Sequence, residues 1–195
     1  MKSPIASVLI LGAYGALMPI AAEAHTFGAH GAGLAEGFAH PFLGLDHLLA
    51  MLAIGIWAAQ LGGATRWIAP LTFMGVMAGS AILALGGFVL PMLEPAIASS
   101  VFVLGLLVAF AVQPTSPISL ALVGLFALFH GNAHGLELPE TASAWQYGAG
   151  FLLATLFLNA SGFVVGNLLR RHSVAARLSG SMIALTGLFL LATAA

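Results

Sequence analysis

The chain has 195 residues, of which 61% are hydrophobic and 6% charged, with mean hydropathy +1.08. An ordinary globular domain carries about 25% charged residues, so this chain cannot clothe a water-facing surface and reads as an integral membrane protein. Five basic against six acidic residues give a net charge of −1, and there is no cysteine. That balance excludes a basic nucleic-acid face. The missing thiols exclude disulfides, cysteine-ligated metal centres and thiol nucleophiles. No G-x-x-x-x-G-K-[ST] stretch occurs, so no P-loop binds nucleotide.

In chain order, Met1-Lys2 supplies a positive start, 5–20 is apolar, and Ala22-Glu23-Ala24 fits the small-x-small cleavage rule. Segment 1–24 is therefore expected to be a signal peptide, with an uncleaved first transmembrane helix as the alternative. Cleavage after Ala24 leaves His25 as the mature terminus. Six apolar stretches follow at 41–61, 67–90, 95–112, 117–135, 145–169 and 174–195, each near the ~20 residues a hydrocarbon core requires. Gly62-Gly63, Pro91, Gln113-Pro114, Pro139 and Arg170-Arg171-His172 separate them. The expectation is an all-α integral membrane protein: one domain, 25–195, a six-transmembrane-helix bundle behind a cleavable signal peptide.

Orientation follows independently. With an exported N-terminus, Arg66, Arg170, Arg171 and Arg177 all fall in or beside cytoplasmic loops, as the positive-inside rule asks. Glu36, Glu94, Glu137 and Glu140 then fall outside, with Asp46 in the outer end of the first span, and both termini are external.

Two clusters near the outer face carry the chemistry. The first is His40-Pro41-Phe42-Leu43-Gly44-Leu45-Asp46-His47. Pro41 suits the first turn of a helix, which puts His40 at or before its start. Asp46 and His47 diverge by 100° on a helix, so Asp46 either reaches sideways to another helix or orients a ligand; an Asp–His bond gluing two spans together is the bland alternative. The second cluster is His130-Gly131-Asn132-Ala133-His134-Gly135-Leu136-Glu137. Spacings i, i+4 and i+7 bring His130, His134 and Glu137 to one face if the helix persists through Gly131 and Gly135. H-x-x-x-H is a two-ligand metal spacing, but Gly131 stands where a zinc protease has its general-base Glu. Imidazole and carboxylate donors suit Ni²⁺, Co²⁺ and Zn²⁺ and disfavour Cu(I). Glu94 is an even choice between ligand and solvated helix end. His25, His30 and Glu36 lie in a Gly/Ala-rich tail, and Asn159 and Ser161 sit mid-span as interhelical hydrogen-bonding groups.

His40-Pro-x-x-Gly-x-Asp46-His47, with His130-Gly-x-Ala-His134-Gly-x-Glu137 closing the fourth span, resembles the signature of the HupE/UreJ hydrogenase/urease accessory permeases. The resemblance covers the whole chain. It implies secondary uptake of Ni²⁺ (or Co²⁺) across the bacterial inner membrane, both termini periplasmic, serving nickel enzymes, hydrogenase or urease. It carries over His40, Asp46, His47, His134 and Glu137 as metal-pathway residues. His130 fits the motif, and Glu94 and Phe73 follow by position.

Ion pathways are the default meaning of intramembrane ionisable residues. The expected activity is thus transport, not enzymatic catalysis, with the metal as cargo, no permanently bound cofactor, and no nucleotide or nucleic-acid partner. Two charges moving through ~100 mV release about 4–5 kcal/mol, enough for on the order of a thousandfold accumulation. Proton coupling, the ranking of Ni²⁺, Co²⁺ and Zn²⁺ and the oligomeric state stay open, as does the inner half of the path, which offers few ligands and leaves Asn159, backbone carbonyls at glycines or water to serve there. The alternatives are an intramembrane metal-dependent hydrolase, with Asp46 or Glu137 as base, and a non-transporting metal sensor or scaffold.

Overall fold

The computed structural model describes residues 33–139 and 142–194; the expected signal segment 1–24, His25, His30 and Glu140 lie outside them. The described residues form seven helices and no strand: α1 (Leu34–Leu43), α2 (Leu45–Gln60), α3 (Thr65–Leu85), α4 (Leu93–Ala109), α5 (Ser116–Leu136), α6 (Ala144–Leu169) and α7 (Ser173–Thr193). α3, α5, α6 and α7 are each long and apolar enough to cross a membrane. α1 and α2 together make a fifth candidate, bent by 88° at the break between them. α4 is apolar but has 17 residues, a rise of about 25 Å against a ~30 Å hydrocarbon core. Large apolar side chains such as Leu71, Ile82, Phe157, Leu168, Leu185 and Phe189 stand exposed along these helices. In water they would be a liability; in lipid they face their own kind. This is a multi-pass membrane protein.

Two sequence expectations need correction. The Gly/Ala-rich tail is helical from Leu34, because Gly37 and Gly150 let α1 and α6 touch backbone to backbone: a Cβ on Gly37 would overlap the Tyr147 carbonyl, and one on Gly150 the Leu34 carbonyl. Pro41 also does not open the first long helix. It lies inside α1, near the helix end, where its missing N–H forfeits a single backbone hydrogen bond. The break falls at Gly44, which is extended (φ −97°, ψ 118°) and serves as N-cap of α2.

The remaining helices pair through glycines in the same way. Gly131 and Gly135 of α5 lie against Met77, Ala81 and Ala84 of α3; Gly55 of α2 meets Asn159 and Gly162 of α6; Gly105 and Gly180 join α4 to α7. α5 therefore runs unbroken through Gly131 and Gly135 to Leu136, since close packing, not a kink, is what these glycines serve. Met51, Ile54, Trp57, Phe73, Met77, Val101, Leu104, Val108 and Val123 fill the core. Hydroxyls stitch α3 to α5: Ser80 Oγ donates to the Leu128 carbonyl at 2.6 Å, and Thr65 and Ser116 are hydrogen-bonded at 2.6 Å.

From α2 onward successive helices run in alternating directions, so the bundle has two chemically different ends. At one end Asn132 near the end of α5 holds the loop after α3, accepting from the Leu90 N–H and donating to the Phe88 carbonyl, both at 2.8 Å. A recess of about 170 Å³ there is lined by Asp46 of α2, Glu94 and Ala98 of α4, and Leu190, Thr193 and Ala194 at the end of α7. At the other end Trp57 Nε1 donates to the Val112 carbonyl at 2.8 Å and Gln60 Nε2 to the Val108 carbonyl at 3.0 Å, with the Arg66 guanidinium 5.2 Å over the Trp67 ring.

Candidate metal centre

Four imidazoles converge at the acidic end. His40 comes from the last turn of α1, His47 from the first turn of α2, and His130 and His134 from the last two turns of α5. The 88° bend brings His40 back toward His47. A Cβ on Gly44 would sit 2.9 Å from Asp46 Oδ1 and 3.1 Å from His47 Nδ1, so glycine is what lets the chain pass so close to this pair.

The rings form a chain. Centroids of His40 and His134 are 5.0 Å apart, His134 and His47 4.2 Å, and His47 and His130 5.2 Å. His40, at the rim, keeps 28% of its side-chain exposure, whereas His134 keeps 2% and His47 8%; His130 is fully buried. The Phe73 ring, also fully buried, lies edge-on 5.6 Å from His130 and closes the deep end. Phe151 packs on His134 with centroids 3.9 Å apart, and Tyr147 flanks His40 at 5.6 Å.

Hydrogen bonds fix which nitrogens are available. His47 donates from Nδ1 to Asp46 Oδ1 at 2.7 Å, and its backbone N–H donates to the same oxygen at 2.7 Å. Asp46 thus orients a neighbour on its own helix and does not join two spans. His130 donates from Nδ1 to the Phe126 carbonyl at 2.9 Å. A carbonyl only accepts, so this bond requires the Nδ1–H tautomer and leaves Nε2 as a bare lone pair. His47 Nε2, His130 Nε2 and both nitrogens of His134 are buried without a hydrogen-bond partner. Unpaired buried polar atoms are costly, and lone pairs oriented by partners on the opposite ring nitrogen are the arrangement of metal-ligating histidines.

Glu137 follows α5 at the mouth. His40 Nε2–H donates to its Oε2 at 2.9 Å, and His134 Nδ1 is 3.4 Å from the same oxygen. Ligand atoms of His40, His134 and Glu137 lie within 4.8 Å of one another, close enough for one cation to replace the proton that His40 and Glu137 share. Burial raises the Glu137 carboxyl, but the His134 and His40 imidazoles outweigh it and hold the group well below the usual carboxylate range.

The residues singled out in the sequence are distributed as follows. His40, His47, His130, His134 and Glu137 are brought together, with Asp46 behind His47 and Phe73 beneath His130. Phe73 offers no donor atom; it supplies a wall. Glu94 is not in this cluster: it is exposed in the first turn of α4 and faces Asp46 across the adjoining recess. The methionines stand apart, with Met51 and Met77 in the core and Met92 on the surface. Tyr147, Phe151 and the loop-holding role of Asn132 were not evident from the sequence. Tyr147 and Phe151 carried no pattern of their own, and Asn132 stood in plain view between two histidines.

A family model described as HupE / UreJ protein matches residues 9–190. The chain is 48% identical over 176 residues to Protein HupE of Rhizobium leguminosarum bv. viciae, an overlap of 89% of this chain and 92% of that protein. No solved structure matches it.

Proposed function

The chain belongs to the HupE/UreJ family, and from that premise we propose that it is a secondary transporter, not an enzyme, for a divalent transition-metal ion. The cargo is Ni²⁺ first and Co²⁺ second, held in transit and not as a resident cofactor. The observation that carries this reading is the imidazole chain, with a rim histidine and carboxylate at one end and three buried histidines with unpaired nitrogens behind them. A closed structural site would gather its ligands around one point; a succession of partial sites suits an ion that is handed on. All donors are nitrogen or oxygen, which fits Ni²⁺ and Co²⁺.

In this reading Glu137 and His40 receive the ion at the rim, and His134 with Glu137 completes the first site. His47, oriented by Asp46, and then His130 receive it further in. Glu94 and Asp46 lend negative charge to the entrance. α2 to α7 make six crossings, with α1 lying at the outer face, its Phe42 and Leu43 exposed to the interfacial region. The acidic end faces the periplasm of a bacterial inner membrane, both termini lie there, and the signal segment is cleaved after Ala24. The membrane potential supplies the drive.

Uptake of radiolabelled Ni²⁺ into proteoliposomes under an imposed inside-negative potential tests this. Saturable uptake that His47→Ala abolishes is expected. Tight binding without flux would replace transport with a sensor or a hydrolytic enzyme, and assays for lipid or peptide hydrolysis would then separate those two.

A further inference from the structure

The imidazole chain ends at His130 and Phe73, and an ion arriving there has most of the bundle still to cross. Among the described residues, two other buried side chains leave every polar atom unpaired: Tyr147, whose hydroxyl lies beside the rim histidine, and, far deeper, Asn159 of α6, which is 3% exposed and has neither Oδ1 nor Nδ2 hydrogen-bonded. Its position can be reckoned along two helices. Asn159 lies eight residues beyond Phe151, the residue packed on His134, which is about 12 Å along α6. Its backbone carbonyl lies against Gly55 of α2, and Gly55 is eight residues beyond His47, again about 12 Å. The two helices agree on the depth. Tyr147, Phe151, Thr155 and Asn159 also recur at every fourth residue on one buried face of α6. One polar-to-aromatic stripe therefore runs from the rim histidine inward.

Other polar side chains within the bundle are accounted for differently. Thr155 Oγ1 donates to the Phe151 carbonyl, Ser80 to Leu128 and Ser100 to Ile97. Each settles its own donor on a helix carbonyl. Asn159 does not, although a leucine at this position would avoid the cost of an unpaired amide in an apolar interior. An amide oxygen is a hard neutral donor. It binds a divalent cation, or accepts from a water on that cation, without the strong hold of a carboxylate that would trap the ion midway.

We propose that the side-chain amide of Asn159 is the next binding step for the ion, about 12 Å inward of His47 and His134, taking it with part of its water shell. This step rests on the transport reading above. Its role is passage, not capture, so its removal should slow translocation and leave binding at the histidines unchanged.

The test combines Ni²⁺ binding by calorimetry on purified full-length protein, potential-driven Ni²⁺ uptake in proteoliposomes, and thermal melting. Asn159→Leu should lower maximal uptake at least tenfold, keep the calorimetric affinity within twofold of wild type, and melt at or above the wild-type temperature. Asn159→Gln, which retains a neutral amide oxygen, should keep more uptake than Asn159→Leu. Uptake by Asn159→Leu within twofold of wild type would overturn the step while leaving transport intact. Absence of flux in the wild type would sink the transport reading, and this step with it. Should Asn159→Leu fail to fold, Asn159→Ala takes its place, and equal loss of uptake in the Ala and Gln variants would assign Asn159 to packing alone.

Discussion

Asp46 accepts from both the backbone N–H and the ring Nδ1–H of His47, and its place in the first turn of α2 lets the helix dipole favour its charge. The consequence is a His47 locked with Nε2 bare. Asp46→Asn should therefore lower Ni²⁺ affinity by roughly 10–100-fold, the usual cost of disturbing a ligand's supporting partner. Calorimetry on the purified protein checks this, and unchanged affinity would show that His47 is oriented by something else. Protons compete with metal for imidazole, so affinity should fall as the pH drops from neutral into mild acid. Glu137, held well below the carboxylate range by the His134 and His40 imidazoles, stays ionised over that interval. Its depressed value means that its contribution is present at neutral pH and is lost only in stronger acid. An affinity that stays constant from neutral into mild acid would contradict ligation by imidazole. At this scale the sequence was informative: i, i+4 spacing on an apolar helix leaves His130 and His134 one shared direction. The same spacing could not say that His40, on a separate helix, would close on Glu137 ninety-seven positions away.

The bend between α1 and α2 runs against what the local sequence favours. Proline rules favour a helix beginning at Pro41, and glycines at 33 and 37 read as loop, whereas Gly37 owes its place to the backbone of Tyr147. A contact with a segment more than a hundred residues away leaves no local trace. α3, α5, α6 and α7 were legible because apolar stretches of twenty or so residues have few alternatives to a membrane helix. Gly44→Ala should loosen the Asp46–His47 pair, since the added methyl would lie within 3.1 Å of both side chains. The expected result is weaker Ni²⁺ binding with an unchanged helical circular-dichroism spectrum; binding equal to wild type would show that the neighbours yield freely. Gly105→Val tests packing apart from the site. Its side chain would collide with the backbone of Ala184 on α7, and overpacking of this kind costs about 1–3 kcal/mol or more. The melting temperature should drop while Ni²⁺ affinity holds, and a fall in affinity would mean that the α4–α7 contact also shapes the centre.

Viewed as a whole, the molecule is polarised. Asp46, Glu94, Glu137 and the imidazoles occupy one end, and Arg66, Arg170 and Arg171 lie at or beside helix termini at the other. This charge asymmetry, read from the sequence, gave the proposed orientation; which helices touch was beyond its reach, because nearly every helix here is apolar all round. The absence of cysteine makes the orientation simple to test with single introduced thiols. Val89→Cys should react with a membrane-impermeant maleimide added to spheroplasts, and Gly62→Cys only after lysis. The reverse pattern would invert the proposed orientation. In either orientation the proposed transport depends on the ion meeting the histidines. Nickel K-edge X-ray absorption on the Ni²⁺-loaded full-length protein measures that meeting directly. A first shell of nitrogen and oxygen only is expected, with outer-shell scattering from two or more imidazoles, diminished in His134→Ala. A spectrum resembling the hexaaqua ion, without imidazole scattering, would contradict it.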